Sequence, residues 1–451
     1  MACPRRPSWN SWVCLEDEIV ALLENHVILG NSAAALSAVA ALRGSGDRRP
    51  VVLVSAENHL AYSPVLTTYY IGGLIPRRRL FLVDREFYLK HQVTPMLGRR
   101  AVTVDPERKE VRLDGRTRLK YHDLLIATGA SARPLKNVDP EALEFVSTLR
   151  TIEDAQRIRA LAEKARDVVV VGAGLVSLQS VRAVLRPEIK VTAVVGSDQV
   201  LSQQLDRESA FLIQSRLQAA GVEILFGRSI ERVERRGAGV EVRTGYGERL
   251  RAGLVVVGKG VQPNTGLVEG TAVKKDWGIL VDEAMRTSVP GVYAAGDVAQ
   301  GINQVSGESE VIATWFNASA QGEVAGRNMA GRPARRSGQM RENVTTLTGL
   351  VITAIGQSRP RPGRLEEIKA VDFRRGVVRK FFFDGPILMG ALLIGRHPDA
   401  GVIRQCIAQR VDLSLWKAGM ASTPLDYGQL LQAQVYGPAG ASNQINYYKG
   451  A

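Results

Sequence analysis

Two glycine turns carry the first chemical signal. Val168 to Gln179 reads VVVVGAGLVSLQ, a valine run that enters Gly172-x-Gly174 and then an apolar helix pattern. In such a turn the first glycine permits the tight bend and the second lets backbone approach a pyrophosphate. The third lets the helix pack close to the sheet. The helix N-terminus then stabilises the phosphate charge. Here the third position is Ser177, and Gln179 follows two residues later. An earlier, more degenerate turn reads Gly30-x-Ser32-x-x-Ala35, with Ser32 and Ala35 small enough for the same two jobs. Glu57 follows the strand pattern RRPVVLVSAEN and is placed to take the hydroxyls of an adenosine ribose. In the later unit the matching strand ends at Val195, where a carboxylate is expected, and Asp198 is the available substitute. No arginine follows at once to receive a 2′-phosphate. Two further strand ends, Ala127-Thr128-Gly129 and Ala295-Gly296-Asp297, are expected side by side. Gly296 there should let a helix start close to a ligand, with Asp297 presenting a carboxylate at that helix.

The elements that position these residues read as α/β. HVILGNSAAALSAVAALR is strand, turn and helix, and RRPVVLVSAEN is a second buried strand. This βαβ spacing gives parallel strands with a right-handed crossover. KEVRLDGRTRLKYHDLLIATGAS reads as two antiparallel strands followed by a buried strand. TIEDAQRIRALAEKA is an amphipathic helix, after which DVVVVGAGLVSLQSVRAVL repeats the first plan. The chain thus holds two tandem Rossmann-like dinucleotide-binding units, an internal repeat. TWFNASAQGEVAGRNMAG is helix-like; from about Asn343 the pattern turns to an antiparallel sheet plus the helix AGVIRQCIAQRVD, a third, α+β domain. The expected boundaries are 1–25 for an extension, within which LEDEIVALLEN reads as a short helix, and 26–147 with 275–342 for the first unit. The second unit takes 148–274, the α+β domain 343–420, and a tail of Gly, Gln, Asn and Tyr 421–451, which should wrap a partner or move.

Composition narrows the function. The 451 residues are 45% hydrophobic and carry a formal charge of +14. A basic balance favours acidic partners and phosphate-bearing ligands. The arginines come in short clusters such as Arg77-Arg78-Arg79 and Arg374-Arg375, without a stripe interleaved with aromatics, so no nucleic-acid partner is expected. Cys3, Cys14 and Cys406 make neither a disulfide framework nor a metal motif, which suits a reducing, cytoplasmic setting. The five histidines show no ligand spacing, and no metal site is expected. No secretory signal and no membrane span is expected either, since the apolar stretch from His26 is explained as strand, turn and helix.

Taken in order, GNSAAA, LLIATGAS, VVVVGAGL, GVQPN, GILVDEAMRTSVPGVYAAGDVA and W-x-N-A-x-x-Q-G resemble the FAD-dependent pyridine nucleotide oxidoreductases over about Val27 to Asp412. The branch resembled is that of rubredoxin, ferredoxin and nitrite reductases. AYSPVLTTYYIGG is similar still to the FAD/NAD subunits of multi-subunit redox complexes, such as those of phenylglyoxylate dehydrogenase and tungsten aldehyde oxidoreductase. The resemblance implies FAD held by Gly30, Ser32, Ala35, Glu57, Thr128, Gly129, Gly296 and Asp297, with Asp297 on the ribitol. Trp315 would lie near the isoalloxazine or serve as a core tryptophan. NAD(H), with NADP(H) open, would sit at Gly172, Gly174, Ser177, Gln179 and Asp198. Relatives that exchange disulfides keep a cysteine near the position of Val65, so no redox thiol is expected here. Where ferredoxin-reductase relatives pair a glutamate with a lysine beside the flavin, this chain has Gln179 and Thr68, a neutral pair. The implied function is electron transfer between NAD(P)(H) and an acidic iron–sulfur protein or subunit. The chain would act as the NAD-reducing subunit of a multi-subunit dehydrogenase, in a hetero-oligomer or homodimer. The alternative is a flavin-bearing structural or docking subunit whose nucleotide site has decayed, as Ser177, Gln179 and Val195 would suggest.

Overall fold

Continuous apolar runs four or five residues long suit strands of a parallel sheet covered on both faces, and both nucleotide-binding units use them that way. The computed structural model describes residues 25–430. LEDEIVALLEN therefore lies outside the described residues apart from Asn25, as does the tail from 431 onward. The first sheet runs Val292–Ala294, Asp123–Ile126, His26–Leu29, Val51–Ser55, Val93–Leu97, all parallel. The second runs Val222–Phe226, Lys190–Val195, Asp167–Val171, Leu254–Val257, Val146–Thr148, again all parallel. The chain joins this second sheet already at Val146. The two strands expected in KEVRLDGRTRLK form, at Glu110–Leu113 and Arg118–Lys120, as part of a three-stranded antiparallel ribbon.

The helix Ala33–Gly44 covers the first sheet and meets the helix Trp315–Met329 along a seam of small residues. A Cβ on Gly322 would lie 2.1 Å from the Ala34 carbonyl oxygen, and one on Gly326 2.4 Å from that of Ala38. The two backbones touch, which no residue larger than glycine permits at those two positions. The strands of the first sheet come from two separate stretches, 26–126 and 292–294, and every strand of the second sheet lies between them in the chain.

The third sheet is antiparallel, in the order Glu342–Leu347, Leu350–Gly356, Ile387–Ile394, Val377–Asp384, Glu366–Asp372. Ile403, Cys406 and Ile407 of the helix Ala400–Gln409 pack against it with Phe381, Phe383 and Leu393. Leu347, Ile352 and Leu392 share one apolar core with Val181 and Val184 of the second unit. That junction also holds a buried cation: the Lys380 ammonium, fully excluded from solvent, donates to Asp206 and, at 2.6 Å, to Glu208. A second buried pair, Arg379–Asp399 at 2.7 Å, also binds the Met420 carbonyl and the Leu425 N–H. No helix among the described residues is long and apolar enough to cross a membrane.

Candidate functional site

Ligands of open α/β sheets bind beyond the C-terminal ends of the strands. Two adjoining cavities lie there. One, about 420 Å³, is lined by Gly30, Ser32, Glu57, Thr128, Gly129 and Arg150. The other, about 570 Å³, also meets Ser32, Gly129 and Arg150, and adds Asp297, Trp315 and Gln179.

Gly30 has φ +132°, and a Cβ there would come within 2.1 Å of the Ala127 carbonyl oxygen. Only glycine fits. Ser32 caps the helix Ala33–Gly44 without spending its hydroxyl on a capping bond. Ala35 is buried in the core and lines neither cavity; its role is the close packing of helix on sheet. Glu57 accepts a 2.6 Å hydrogen bond from the Tyr62 hydroxyl, which in turn accepts the Ile152 N–H. Burial raises the Glu57 carboxyl above its ordinary value, with the Tyr62 bond opposing. Thr128 and Asn264 exchange hydrogen bonds, Thr128 Oγ1 to the Asn264 carbonyl at 3.1 Å and Asn264 Nδ2 to the Thr128 carbonyl at 2.8 Å. That clamp fixes the Thr128–Gly129 turn.

Gly296 and Asp297 end their strand as expected, but no helix starts there. Gly296 turns at φ +81° and the chain continues into the strand Ala299–Ile302. The strand pairs with Ile279–Leu280, a long-range partner that outweighs the local helix signal. The neighbouring helix N-terminus belongs instead to Trp315–Met329. Its Gln321 accepts the Gly296 N–H at 2.8 Å and so pins the turn. Asp297 is only 15% exposed, and its Oδ2 accepts from Arg150 Nη2 at 2.7 Å. Arg150 was not among the residues singled out from sequence. It precedes Thr151, the N-cap of a helix closed by a Thr151–Asp154 capping box, a local signal that fixes the backbone from which Arg150 reaches both cavities. Trp315 lines the larger cavity while packing on the first unit's core.

The second turn is intact around its serine. Gly172 has φ +100°, and a Cβ there would lie 2.5 Å from the Gly258 carbonyl oxygen. A Cβ on Gly174 would meet nothing within 4 Å, which leaves open space for a phosphate. Ser177 Oγ donates to the Gly258 carbonyl at 3.1 Å. A Cβ on Gly258 would come within 2.1 Å of that same Oγ. The bulk added at Ser177 is thus accommodated by a glycine opposite. Asp198 is exposed, and its carboxylate is paired with the exposed Arg207. Arg228 stands beside the same strand end, its N–H on the Val195 carbonyl, its guanidinium 4.1 Å from the Tyr246 ring centre and 2.7 Å from Glu248. Gln179 and Thr68 both line the larger cavity but are not hydrogen-bonded to each other. Gln179 Nε2 donates across to Thr345 Oγ1 and to the Thr346 carbonyl, on the third sheet. Its Oε1 is buried and has no hydrogen-bond partner among the described residues.

Val65, where a redox cysteine would stand, is 61% exposed at the rim of the larger cavity. Cys406 lies in the core of the third domain, and burial pushes its thiol up to about 11. Such a thiol stays protonated and inert. Cys3 and Cys14 lie outside the described residues. A variant lacking all three cysteines should retain NADH-dependent dye reduction at the wild-type rate. Turnover lost while flavin content stays full would show that a thiol takes part.

Two parallel-sheet units with glycine turns at the strand ends, meeting around shared cavities, define a two-dinucleotide oxidoreductase. Residues 24–322 match the family described as pyridine nucleotide-disulphide oxidoreductase, and the chain belongs to that family. It is an FAD- and NAD(P)H-dependent oxidoreductase. Among its relatives is the NADH-dependent phenylglyoxylate dehydrogenase subunit epsilon of Aromatoleum evansii, 32% identical over 419 residues, which cover 91% of this chain and 98% of the relative. The rubredoxin-NAD(+) reductase of Pseudomonas putida is 29% identical over 307 residues, 68% of this chain and 80% of that one. The fold is shared with the crystal structure of a covalent putidaredoxin reductase–putidaredoxin complex, at TM-score 0.83 and 24% identity, with 92% of this chain and 99% of that one covered.

Proposed function

We propose that the protein is the NAD-reducing flavin subunit of a multi-subunit dehydrogenase, passing electrons between NAD(H) and an iron–sulfur centre on a partner. The observation that carries this reading is the larger cavity. In it Gly129, Asp297 and Trp315 of the first unit meet Arg150, Leu175 and Gln179 of the second and Thr345 of the third. The near full-length likeness to the epsilon subunit supports the subunit form.

The residues fit FAD on this chain's own geometry: a turn at Gly30 that only glycine can make, an adjoining ribose-side carboxylate at Glu57, and a strand-end carboxylate at Asp297. Bound FAD would supply exchange of electrons in pairs with a nicotinamide and singly with a metal cluster. The protein's share is placement. Glu57 would hold the adenosine ribose, Asp297 the ribitol, and the Gly172–Gly174 turn the pyrophosphate of NAD(H). Gln179, fixed by the third sheet, would border the nicotinamide end of the cavity. The domains proposed are the first unit for FAD, the second for NAD(H), and the α+β domain as the interface. The decayed-site alternative draws no support, because Ser177 is matched by Gly258 and the turn stays open at Gly174.

The partner surface proposed is the rim of the larger cavity. Val65, Val176 and Val344 line it and are exposed, and Phe316 beside Trp315 is exposed as well. An acidic iron–sulfur subunit would meet this apolar collar on a chain that carries +14 overall. A free surface of this kind suits permanent association in the cytoplasm. Anaerobic stopped flow tests it: NADH should bleach the flavin absorbance, and transfer to the co-purified cluster should change little between low and high salt. Full flavin with no bleaching would refute the NAD-reducing role. Steep loss of cluster transfer with salt, flavin bleaching unchanged, would replace the permanent subunit by a transiently docked acidic carrier.

A further inference from the structure

The opposite end of the first sheet holds a cluster that the redox chemistry does not use. His26 opens the central strand and Asp123 opens its neighbour; the parallel register sets the two side by side. His122 precedes Asp123, and its N–H is bonded to the Asn25 carbonyl at 2.7 Å. These contacts gather two histidines and a carboxylate that lie 97 positions apart in sequence at their widest, from His26 to Asp123.

The hydrogen bonding of His26 is asymmetric. Nε2 lies 3.2 Å from Asp47 Oδ2. A carboxylate only accepts, so it fixes the ring proton on Nε2. The lone pair is then left on Nδ1. That atom is buried in a side chain fully excluded from solvent, and it has no hydrogen-bond partner among the described residues. It faces Asp123 Oδ2 at 3.5 Å. Two acceptors then face each other in the interior, an arrangement that a cation between them relieves, whether a proton or a metal ion. His122 Nδ1 reaches the same Asp123 oxygen at 2.8 Å. One potential ligand atom from each of the three residues lies within 4.8 Å of the others. Asn25, next in the chain, adds a second buried and unpartnered acceptor, its Oδ1.

We propose that His26, His122 and Asp123 form a binding site for a divalent ion of the zinc class, with solvent at the fourth position beside the partly exposed His122. Imidazole nitrogens with one carboxylate oxygen are a donor set for such borderline ions rather than for magnesium or calcium. Bonds of about 2.0–2.2 Å in a tetrahedron put neighbouring donors roughly 3.3 Å apart. The observed separations of 3.5 and 2.8 Å straddle that spacing. Asp47 completes the arrangement from behind: a ligating histidine characteristically donates its other N–H to a carboxylate, which orients the ring and strengthens the ligand. The site ties the start of two adjacent strands to the loop after the helix Ala33–Gly44. It lies at the N-terminal end of strands whose C-terminal ends carry the cofactor cavities, so it stands or falls independently of the redox reading.

The test uses the full-length, flavin-containing protein. It is stripped with a chelator, desalted, and titrated with zinc chloride against a chromophoric chelator. The wild type should take up one zinc ion per chain, and its melting temperature should rise with zinc. His122→Ala and Asp123→Asn should each bind zinc at least tenfold more weakly and lose most of the thermal shift. His122 is partly exposed, so its replacement spares the fold, and the unchanged flavin spectrum checks this. Cobalt substituted for zinc should give the intense visible bands of a tetrahedral site in the wild type and not in His122→Ala. A wild type that takes up no zinc overturns the proposal. So does undiminished affinity in both variants.

Discussion

Asp297→Ala should purify largely without flavin. The carboxylate is 15% exposed at a strand end, held by Arg150 at 2.7 Å and backed by a turn that Gln321 pins. Hydrogen bonds to a charged group contribute about 1.5–3 kcal/mol each. Losing one on a ribitol hydroxyl would weaken FAD binding by roughly 10- to 150-fold. Asp297→Asn keeps the shape and one acceptor, so it should retain more flavin. The ratio of flavin to protein absorbance after gel filtration reads both effects, with circular dichroism to confirm the fold. Full flavin in Asp297→Ala would remove Asp297 from the site.

The second large effect is expected at Lys380. Truncation to alanine leaves Asp206 and Glu208 facing each other without their shared cation. Breaking a buried pair costs 3–5 kcal/mol. Both carboxylates are about a third exposed, so solvent screening puts the loss nearer the low end, about 3 kcal/mol. Lys380→Met fills the volume and should lose less packing while losing the same charge contacts. Denaturant titration measures the loss, and hydrogen exchange should localise it to the junction of the third sheet with the second unit. A loss below about 0.5 kcal/mol would show the ion pair to be incidental.

The same pair gives the junction a pH dependence. Burial alone would raise Asp206, but hydrogen bonds from Lys380 and Ser209 outweigh it and hold the carboxyl below its ordinary value. Glu208 is lowered chiefly by its bond from Lys380. Asp399 is lowered by Arg379 and the Leu425 N–H against the opposing effect of burial. A carboxyl depressed in the folded state adds stability that is full above its unfolded value and is lost as pH falls through the folded one. The third domain should therefore hold firm at neutral pH and loosen below about pH 4. Lys380→Met should flatten the part of that slope due to Asp206 and Glu208.

What could be read in the sequence was local. Valine runs, a glycine turn and a small-residue helix lie within a dozen positions of one another, so both dinucleotide units were legible from their own segments. Gly30, Gly172 and Asp297 were legible for the same reason. What escaped were partners from afar. The Arg207 that pairs with Asp198 sits nine positions on, in the helix Arg207–Ala219, with no motif to mark it. Gln179 was matched with Thr68, whereas its bonds go to a sheet that begins more than 160 positions later. Gly296 resembled a helix start because nothing near it reveals the pairing of Ala299–Ile302 with Ile279–Leu280. Arg150 and Asn264 matter only once the strand ends are brought together. His26 and His122 show no spacing motif, because a parallel register and not a helix turn makes them neighbours.

The glycine seam between the helices Ala33–Gly44 and Trp315–Met329 also sets a timetable. During synthesis the first helix emerges roughly 280 residues ahead of its partner, which at about 5–20 residues per second is a delay of about 15–60 s. Throughout that interval the edge strand Val292–Ala294 is missing too, so the first sheet is open on the side it will close last. The inserted unit has no such wait, since every strand of its sheet lies between Val146 and Val257. An uncovered face of leucines would invite aggregation for that long. Ala33, Ala34, Ala35 and Ala38 offer far less apolar surface, because a seam closed by backbone contact is built from side chains too small to be sticky while it stands open.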